Sequence, residues 1–301
     1  MTTARGFALI AAVVACAGSC RDTPKAKAEQ LRALEVARKH QLARRLAIAD
    51  ASPRQQGPIA MWILPPELRE ISGLTLTSDD RMFTHEDEDA TVYQIDPKTG
   101  IVVKRFALEG NPKGDFEAIA AVGADFYLLE SNGKLFVFKE GPKDARVHYA
   151  KYDTKLGHEC SFESLAYEPD SSRLLFPCKT VTTKSLKDQL VIYRLPLPIT
   201  DSSSVTMLRV PLAVVIGLNG WKAFHPSDMA VDPVTGNYVL VASQEKAIAV
   251  ITPSGDVVRS EPLPGGHQQA EGVAITRDSI LIISDEARHK PAAITLYRWR
   301  P

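Results

Sequence analysis

The sequence lacks the short motifs that mark the common hydrolytic and redox chemistries. It has no glycine-rich phosphate loop, no G-x-S-x-G elbow, no H-E-x-x-H and no C-x-x-C pair. These absences argue against nucleotide hydrolysis, serine hydrolysis by the nucleophile elbow, zinc proteolysis and dithiol redox chemistry. A catalytic triad on an unusual scaffold stays open, because a triad is defined by geometry.

The chain also lacks an excess of either charge. Its 301 residues include 36 basic and 36 acidic side chains, and the pI is near 7.1. Because binding to a phosphate backbone requires a basic surface, we expect no nucleic-acid partner. The 45% of apolar residues indicates a globular protein with material for a large core.

The longest apolar run is short and lies at the N-terminus, from Phe7 to about residue 17, after Arg5. It is shorter than the roughly 20 residues of a membrane-spanning helix and has the order of a secretory signal peptide. The following Ala-Gly-Ser-Cys resembles a bacterial lipobox. We therefore predict a lipoprotein signal peptide over residues 1–19 and lipidation of Cys20, with Cys16 as a competing site and a plain cleavable signal as the alternative.

These features predict an exported protein that faces the periplasm and meets the membrane only through its lipid anchor. Arg21 follows the cysteine where inner-membrane retention would favour Asp, which favours the outer membrane. An exported compartment also permits disulfides, and only Cys160 and Cys178 lie in the body of the chain. We predict that they pair across two strands joined by a turn at residues 169–172, the alternative being two buried thiols.

Residues 20–57 differ in composition from the rest. From about Thr23 to Ser52 the sequence is rich in Ala, Leu and charged residues and has no Gly, which favours a helix. Its apolar stripe is broken, so we interpret it as a solvated stalk, with a partner-binding helix as the alternative.

Residues 58–301 consist of short β-branched or aromatic runs separated by turn signals, which predicts an all-β domain. A pattern of one acid followed by small and apolar residues recurs five times at separations of 47, 46, 65 and 43 residues. The acids are Glu70, Glu117, Glu163, Asp228 and Glu271. These separations match four-stranded propeller blades. We predict five blades, closed by a strand from residues 59–64, with a sixth blade possible between residues 181 and 220.

Residues at equivalent positions, at the start of each inner strand, face one another across a propeller channel. We therefore expect these acids to form a ring. Mutual repulsion among them favours a bound cation, and hard oxygen ligands suit Ca²⁺. A second ring is predicted at the ends of the next strands: Glu86, Glu130, Lys179, Gln244 and Glu286. Lys179 offers an internal counter-ion, so a salt-bridged cluster without metal stays open.

Histidines precede three of the ring acids, at His158, His225 and His267. A histidine beside a bound metal could activate a water molecule, because its pKa lies near neutral pH. The alternative is that each is an exposed or strand-capping loop residue.

The stretches EISGL, GDFEAIA, CSFESLAYEP with a later LLFPCK, HPSDMAVDPVTG, and AEGVAI followed by IISDE resemble the SdiA-regulated family of exported bacterial propellers. The resemblance covers roughly residues 59–301. It implies a propeller related in architecture to phytase-like, paraoxonase-like and gluconolactonase-like enzymes, with calcium-associated acids at Glu70, Glu117, Glu163, Asp228, Glu271 and Glu286. It implies no particular reaction, and the carboxylates here replace the asparagines of calcium lactonases.

Two functions follow as hypotheses. The first is a monomeric calcium-binding propeller that acts as a binding or scaffold module for a small molecule or an envelope protein. The second is a metal-dependent hydrolase of esters, lactones or phosphate esters.

Overall fold

The computed structural model describes residues 23–51, 57–200 and 204–300. The predicted signal peptide and both candidate lipidation sites, Cys16 and Cys20, lie outside these residues. The helices are α1 (Pro24–Ala51), α2 (Leu212–Ile216) and two 3₁₀ turns, Pro66–Leu68 and Lys184–Leu186. Within the described ranges, no helix has both the length and the apolar character needed to cross a bilayer.

Strands make up most of the remaining chain, as the alternating β-branched and aromatic runs predict. In chain order they are β1 (Ala60–Ile63), β2 (Ile71–Leu76), β3 (Met82–Glu86), β4 (Thr91–Asp96), β5 (Ile101–Leu108), β6 (Phe116–Val122), β7 (Asp125–Glu130), β8 (Lys134–Lys139), β9 (Arg146–Val147), β10 (Tyr149–Asp153), β11 (Cys160–Phe162), β12 (Ala166–Glu168), β13 (Arg173–Val181), β14 (Gln189–Pro196), β15 (Thr206–Pro211), β16 (Asp228–Val231), β17 (Tyr238–Ala242), β18 (Ala247–Ile251), β19 (Val257–Pro262), β20 (Ala270–Ile275), β21 (Ile280–Asp285) and β22 (Ala293–Arg298).

The strands form five sheets, which are the five blades of a β-propeller. Blade 1 contains β2–β5 and the short β9, blade 2 contains β6, β7, β8 and β10, and blade 3 contains β11–β15. Blade 4 contains β16–β19, and blade 5 contains β20–β22 with β1. The prediction of five blades is confirmed. The long third repeat adds the helix α2 after β15, and no sixth sheet is found in the described ranges.

Blade 5 joins the two ends of the domain. Strand β1 pairs antiparallel with β22, so that Ala60 faces Leu296 and Ile63 faces Ala293. Side chains along β1 alternate between buried and exposed, as a half-buried strand requires. The predicted closing strand is therefore confirmed, and it leaves no open interface between the first and last blades.

Apolar side chains between neighbouring blades form the core. In the described part of the chain, buried side chains form five clusters, one at each interface between adjacent blades. Between blades 1 and 2, for example, Phe83 and Phe126 meet edge to face with their ring centres 4.8 Å apart. Such burial on both faces of every blade fixes the angular position of the inner strands.

The predicted disulfide is confirmed. Cys160 on β11 and Cys178 on β13 are bonded, with their Cα atoms 5.7 Å apart. The turn after β12 returns the chain antiparallel along β13, so that Phe162 lies opposite Cys178. The bond ties the entry segment of blade 3 to its second strand.

Helix α1 is confirmed, and one face of its C-terminal half packs against the propeller. Leu42 is 2% exposed and belongs to the core cluster between blades 5 and 1. The Arg38 guanidinium lies 4.9 Å from the centre of the Trp62 ring. One face of the C-terminal half departs from the expectation of a solvated stalk, because Leu42, Leu46 and Ala49 form a stripe that packs on blade 5.

Replacing Leu42 by Ala should loosen this half of the helix. The change removes a fully buried leucine, which costs about 2 kcal/mol or more. We expect faster hydrogen exchange of the amides in residues 40–51, measured by mass spectrometry. Leu31→Ala is the matched control, because Leu31 is 52% exposed. Equal exchange in both variants would mean that the helix is not held by this contact.

Candidate functional site

One end of the propeller brings together several of the predicted acids. The inner strands begin there and the next strands end there, because each pair is antiparallel. Ile71 lies opposite Glu86, Phe116 opposite Glu130, and Ala270 opposite Asp285. We call the following carboxylates at this end the acidic mouth: Glu70, Glu86, Asp87, Glu117, Glu271 and Glu286.

Two of the inner-strand acids sit on β-bulges. The register shifts between Phe116 and Ala118, and again between Ala270 and Gly272, which leaves Glu117 and Glu271 unpaired in their ladders. A bulge re-aims a side chain and often lies beside a functional site. Gly272 permits this packing, because a Cβ atom there would stand 2.7 Å from Cγ of Leu74 on blade 1.

Three acids of the mouth have clearly raised pKa values. Burial, followed by repulsion from Asp115 and Glu271, raises the pKa of Glu117 to about 8. Burial raises the pKa of Glu271 to about 7, with a smaller contribution from Glu286. Burial and the charge of Glu70 raise the pKa of Glu86 to about 7. These carboxylates therefore hold protons near neutral pH unless a cation compensates them.

Asp87 and Glu286 of the acidic mouth show the same direction. Burial raises the pKa of Asp87, and Glu70 adds repulsion. Burial also raises the pKa of Glu286, with Asp87 as the next contribution. Because Asp87 also acts on Glu117, the raised values belong to one electrostatically connected group.

Lys179 supplies an internal positive charge at this end. Its ammonium group donates a hydrogen bond to the Glu163 carboxylate, and the two side chains are 25% and 15% exposed. Its charge also lowers the pKa of Glu117 and of Glu271, although burial outweighs that effect. Glu163 is thus already paired, whereas the acidic mouth is only partly neutralised.

Asp228 occupies a different place from the other ring acids. It is 1% exposed, and its Oδ2 accepts hydrogen bonds from the backbone N–H of Val273 at 2.7 Å and of Leu74 at 3.3 Å. One carboxylate of blade 4 therefore joins blades 5 and 1 inside the channel. Oδ1 is buried without a hydrogen bond, and burial raises the pKa of Asp228 well above its ordinary value.

Two of the candidate histidines differ in exposure. The His158 side chain is 75% exposed and stands 3.7 Å from Glu159. His225 is held by Glu245, whose Oε1 lies 2.7 Å from Nδ1 and whose Oε2 accepts the backbone N–H of His225 at 3.1 Å. Glu245 was missed in the sequence, although it directly follows Gln244 of the second predicted ring.

The third candidate, His267, is buried. Its Nδ1 lies 2.6 Å from Oδ2 of Asp285, and its Nε2 lies 2.9 Å from the hydroxyl of Tyr297. Both ring nitrogens are therefore engaged by protein groups. These contacts link the loop before β20 to strands β21 and β22. The catalytic role predicted for His267 stays a prediction.

The mouth offers carboxylate oxygens, which suit a hard cation, but its side chains do not form a complete coordination site. Carboxylate oxygens are the ligands that Ca²⁺ prefers, and Oδ1 of Asp87 is buried without a hydrogen bond. However, the described part of the chain contains no group of three or more His, Cys, Asp or Glu side chains arranged to hold a metal ion. A cation would need backbone oxygens or water molecules to complete its coordination.

Comparison with solved structures identifies the architecture. The chain superposes on the PQQ-bound aldose sugar dehydrogenase of Streptomyces coelicolor with a TM-score of 0.50 and 12% identity, covering 79% of this chain and 98% of that one. It superposes on the glutaminyl cyclase of Myxococcus xanthus with a TM-score of 0.50 and 14% identity, covering 80% and 95%. Both are β-propeller proteins. The chain shares their fold.

A luciferin-regenerating enzyme gives a TM-score of 0.51 at 9% identity, covering 80% of this chain and 95% of that one. At such identities the likeness concerns the fold alone. No family model and no curated protein sequence matches the chain. The local chemistry of the mouth must therefore carry the functional argument.

The raised pKa values predict a pH-dependent stability. A carboxyl group in an unfolded chain titrates near 4.3, and Glu117 titrates at about 8 in the fold. Between these values the folded protein binds more protons than the unfolded chain, so its stability should fall as pH rises. We expect the urea midpoint of metal-free protein to decrease from pH 5 to pH 8.

Glu117→Gln should flatten part of this slope, because glutamine resembles the protonated acid. Glu109→Gln is the control, since Glu109 is 57% exposed on a loop outside the mouth. If stability depends on pH equally steeply in wild type and in Glu117→Gln, the raised pKa of Glu117 is contradicted.

Proposed function

We propose that this protein is an exported, lipid-anchored propeller of the SdiA-regulated type that binds Ca²⁺ at its acidic mouth. It serves as a monomeric binding or scaffold module for a small molecule or a protein of the cell envelope. The observation that carries the proposal is the group of partly buried carboxylates at one end of the channel, whose pKa values are raised. A cation would remove their mutual repulsion.

Glu117 and Glu271 are the first candidates for ligands. Both sit on bulges at the start of inner strands, and each is influenced by the charge of Lys179. Glu286 acts on Glu271 and is the next candidate. Glu70 and Asp228 remain weaker proposals, because Arg69 lies 3.6 Å from Glu70 and Asp228 already accepts two backbone N–H groups.

Export is supported by the disulfide Cys160–Cys178, because such bonds persist in oxidising compartments. The lipobox-like segment supports the lipid anchor, and Arg21 supports the outer membrane. The balanced charge of the chain supports a partner other than nucleic acid.

Calcium should raise the melting temperature of purified protein that has been treated with EDTA. Binding to the folded state alone stabilises it by about 2.7 kcal/mol at a free concentration one hundred times the Kd. We expect a larger shift at pH 8 than at pH 5.5, since protons compete for the same oxygens.

The double variant Glu117→Gln/Glu271→Gln should lose most of this calcium-dependent shift, whereas Glu109→Gln should keep it. Differential scanning fluorimetry with Mg²⁺ in parallel measures both. If the double variant shifts as far as wild type, the cation binds elsewhere. If wild type shows no shift at pH 8, the carboxylates are neutralised by protons and Lys179.

A metal-dependent hydrolase of esters, lactones or phosphate esters is a second candidate, favoured by the pair His225–Glu245. The carboxylate orients the imidazole, and the 31% exposed His225 side chain could act as a general base. In a substrate panel we expect His225→Gln to abolish turnover, Glu245→Gln to reduce it, and His158→Gln to leave it unchanged. Turnover that survives His225→Gln would remove this candidate.

A further inference from the structure

A separate cavity of about 250 Å³ lies between the outer strands of blades 4 and 5. No residue of the acidic mouth lines it. Its apolar walls come from Ile248, Leu281, Pro262 and Pro264, and Trp299 follows directly after β22. Pockets for drug-sized ligands usually measure about 300–1,000 Å³, so this cavity suits a smaller molecule.

The charged groups around the cavity are mainly guanidinium groups. Arg259, Arg298 and Arg300 line it, and Glu261 is the acid among its lining residues. The C-terminal end of α1 positions two of the arginines. Nε of Arg298 pairs with Asp50 at 2.8 Å, and Nη2 of Arg300 donates to the carbonyl of Ala49 at 3.0 Å. The docked helix therefore helps to hold Arg298 and Arg300 in place, and its Asp50 already pairs with Arg298.

Arg259 is fixed in place and keeps an unused donor. Its guanidinium carbon lies 4.4 Å from the centre of the Trp299 ring, and its Nη1 donates to the carbonyl of Arg300 at 2.8 Å. Trp299 is itself fixed, since its indole N–H donates to Asp232 at 2.9 Å. Nε of Arg259 is buried without a hydrogen bond and forms a long ion pair with Glu261 at 3.6 Å, whereas the Arg259 side chain as a whole is 31% exposed.

We propose that this cavity binds a small planar carboxylate with an apolar ring, such as an aromatic acid. The carboxylate would pair with the Arg259 guanidinium, whose fork of N–H donors matches two carboxylate oxygens. The ring would pack against Ile248, Leu281 and the two prolines.

Benzoate is the probe, with benzamide as its neutral analogue and inorganic phosphate as an anion without a ring. Titration of ¹⁵N-labelled full-length protein should shift the indole N–H signal of Trp299 with benzoate, and much less with either control compound. Arg259→Gln should weaken benzoate binding about tenfold or more. Arg277→Gln is the matched control, because Arg277 is 61% exposed on a turn of blade 5 and pairs with Asp80.

Arg259→Lys keeps the charge but loses the fork, and it should also weaken binding if Arg259→Gln fails to fold. A shift of Trp299 by benzamide as large as that by benzoate would overturn the proposal. So would the absence of any shift at tens of millimolar benzoate, or unchanged affinity in a folded Arg259 variant.

Discussion

The carboxylate of Asp228 is the contact on which the centre of the propeller depends. Inner strands of different blades meet around the channel, where their edges offer no further ladder partners. Oδ2 of Asp228 accepts N–H groups from Leu74 and Val273, so a single side chain of blade 4 joins blades 5 and 1. Because a buried N–H without an acceptor is costly, these two bonds specify how the three blades are arranged.

The burial of Asp228 determines which inner-strand acids can bind a ligand. Since Asp228 is 1% exposed and the acids on the bulges are only partly buried, Glu117 and Glu271 are more accessible to a ligand. Glu163 is engaged by Lys179, which leaves Glu117 and Glu271 as the inner-strand acids with raised pKa values of about 8 and about 7. Asp228 therefore has a structural role and Glu163 is held in an ion pair, whereas the acids of the mouth can still bind protons or a cation.

The repeating acid pattern was sufficient to predict the blade count and the closing strand, because both depend on spacing and strand periodicity. It was not sufficient to place each acid in the site. Asp228 and Glu117 share a sequence pattern, but Glu117 is unpaired at a bulge and Asp228 faces inwards. The positions of the bulges and the contacts of Asp228 with other blades depend on packing between blades. The sequence of a single repeat does not encode that packing. The docking of α1 was missed for the same reason, since its apolar stripe is narrow and matches only the groove beside Trp62.

Net neutrality of the whole chain conceals a local cluster of acids and a local group of arginines, two of which pair with Asp50 and Glu261. The acidic mouth collects carboxylates at the starts of the inner strands and the ends of the next strands, whereas Arg259, Arg298 and Arg300 line the outer cavity between blades 4 and 5. At physiological salt, mobile ions screen exposed charges from one another beyond roughly 8 Å. Each region therefore acts on a ligand through its own local field. A propeller can hold both because its inner and outer strands are far apart in each blade while remaining parts of one rigid sheet. The balanced composition therefore argues against a broad polyanion surface without arguing against local binding of a cation and of a small anion.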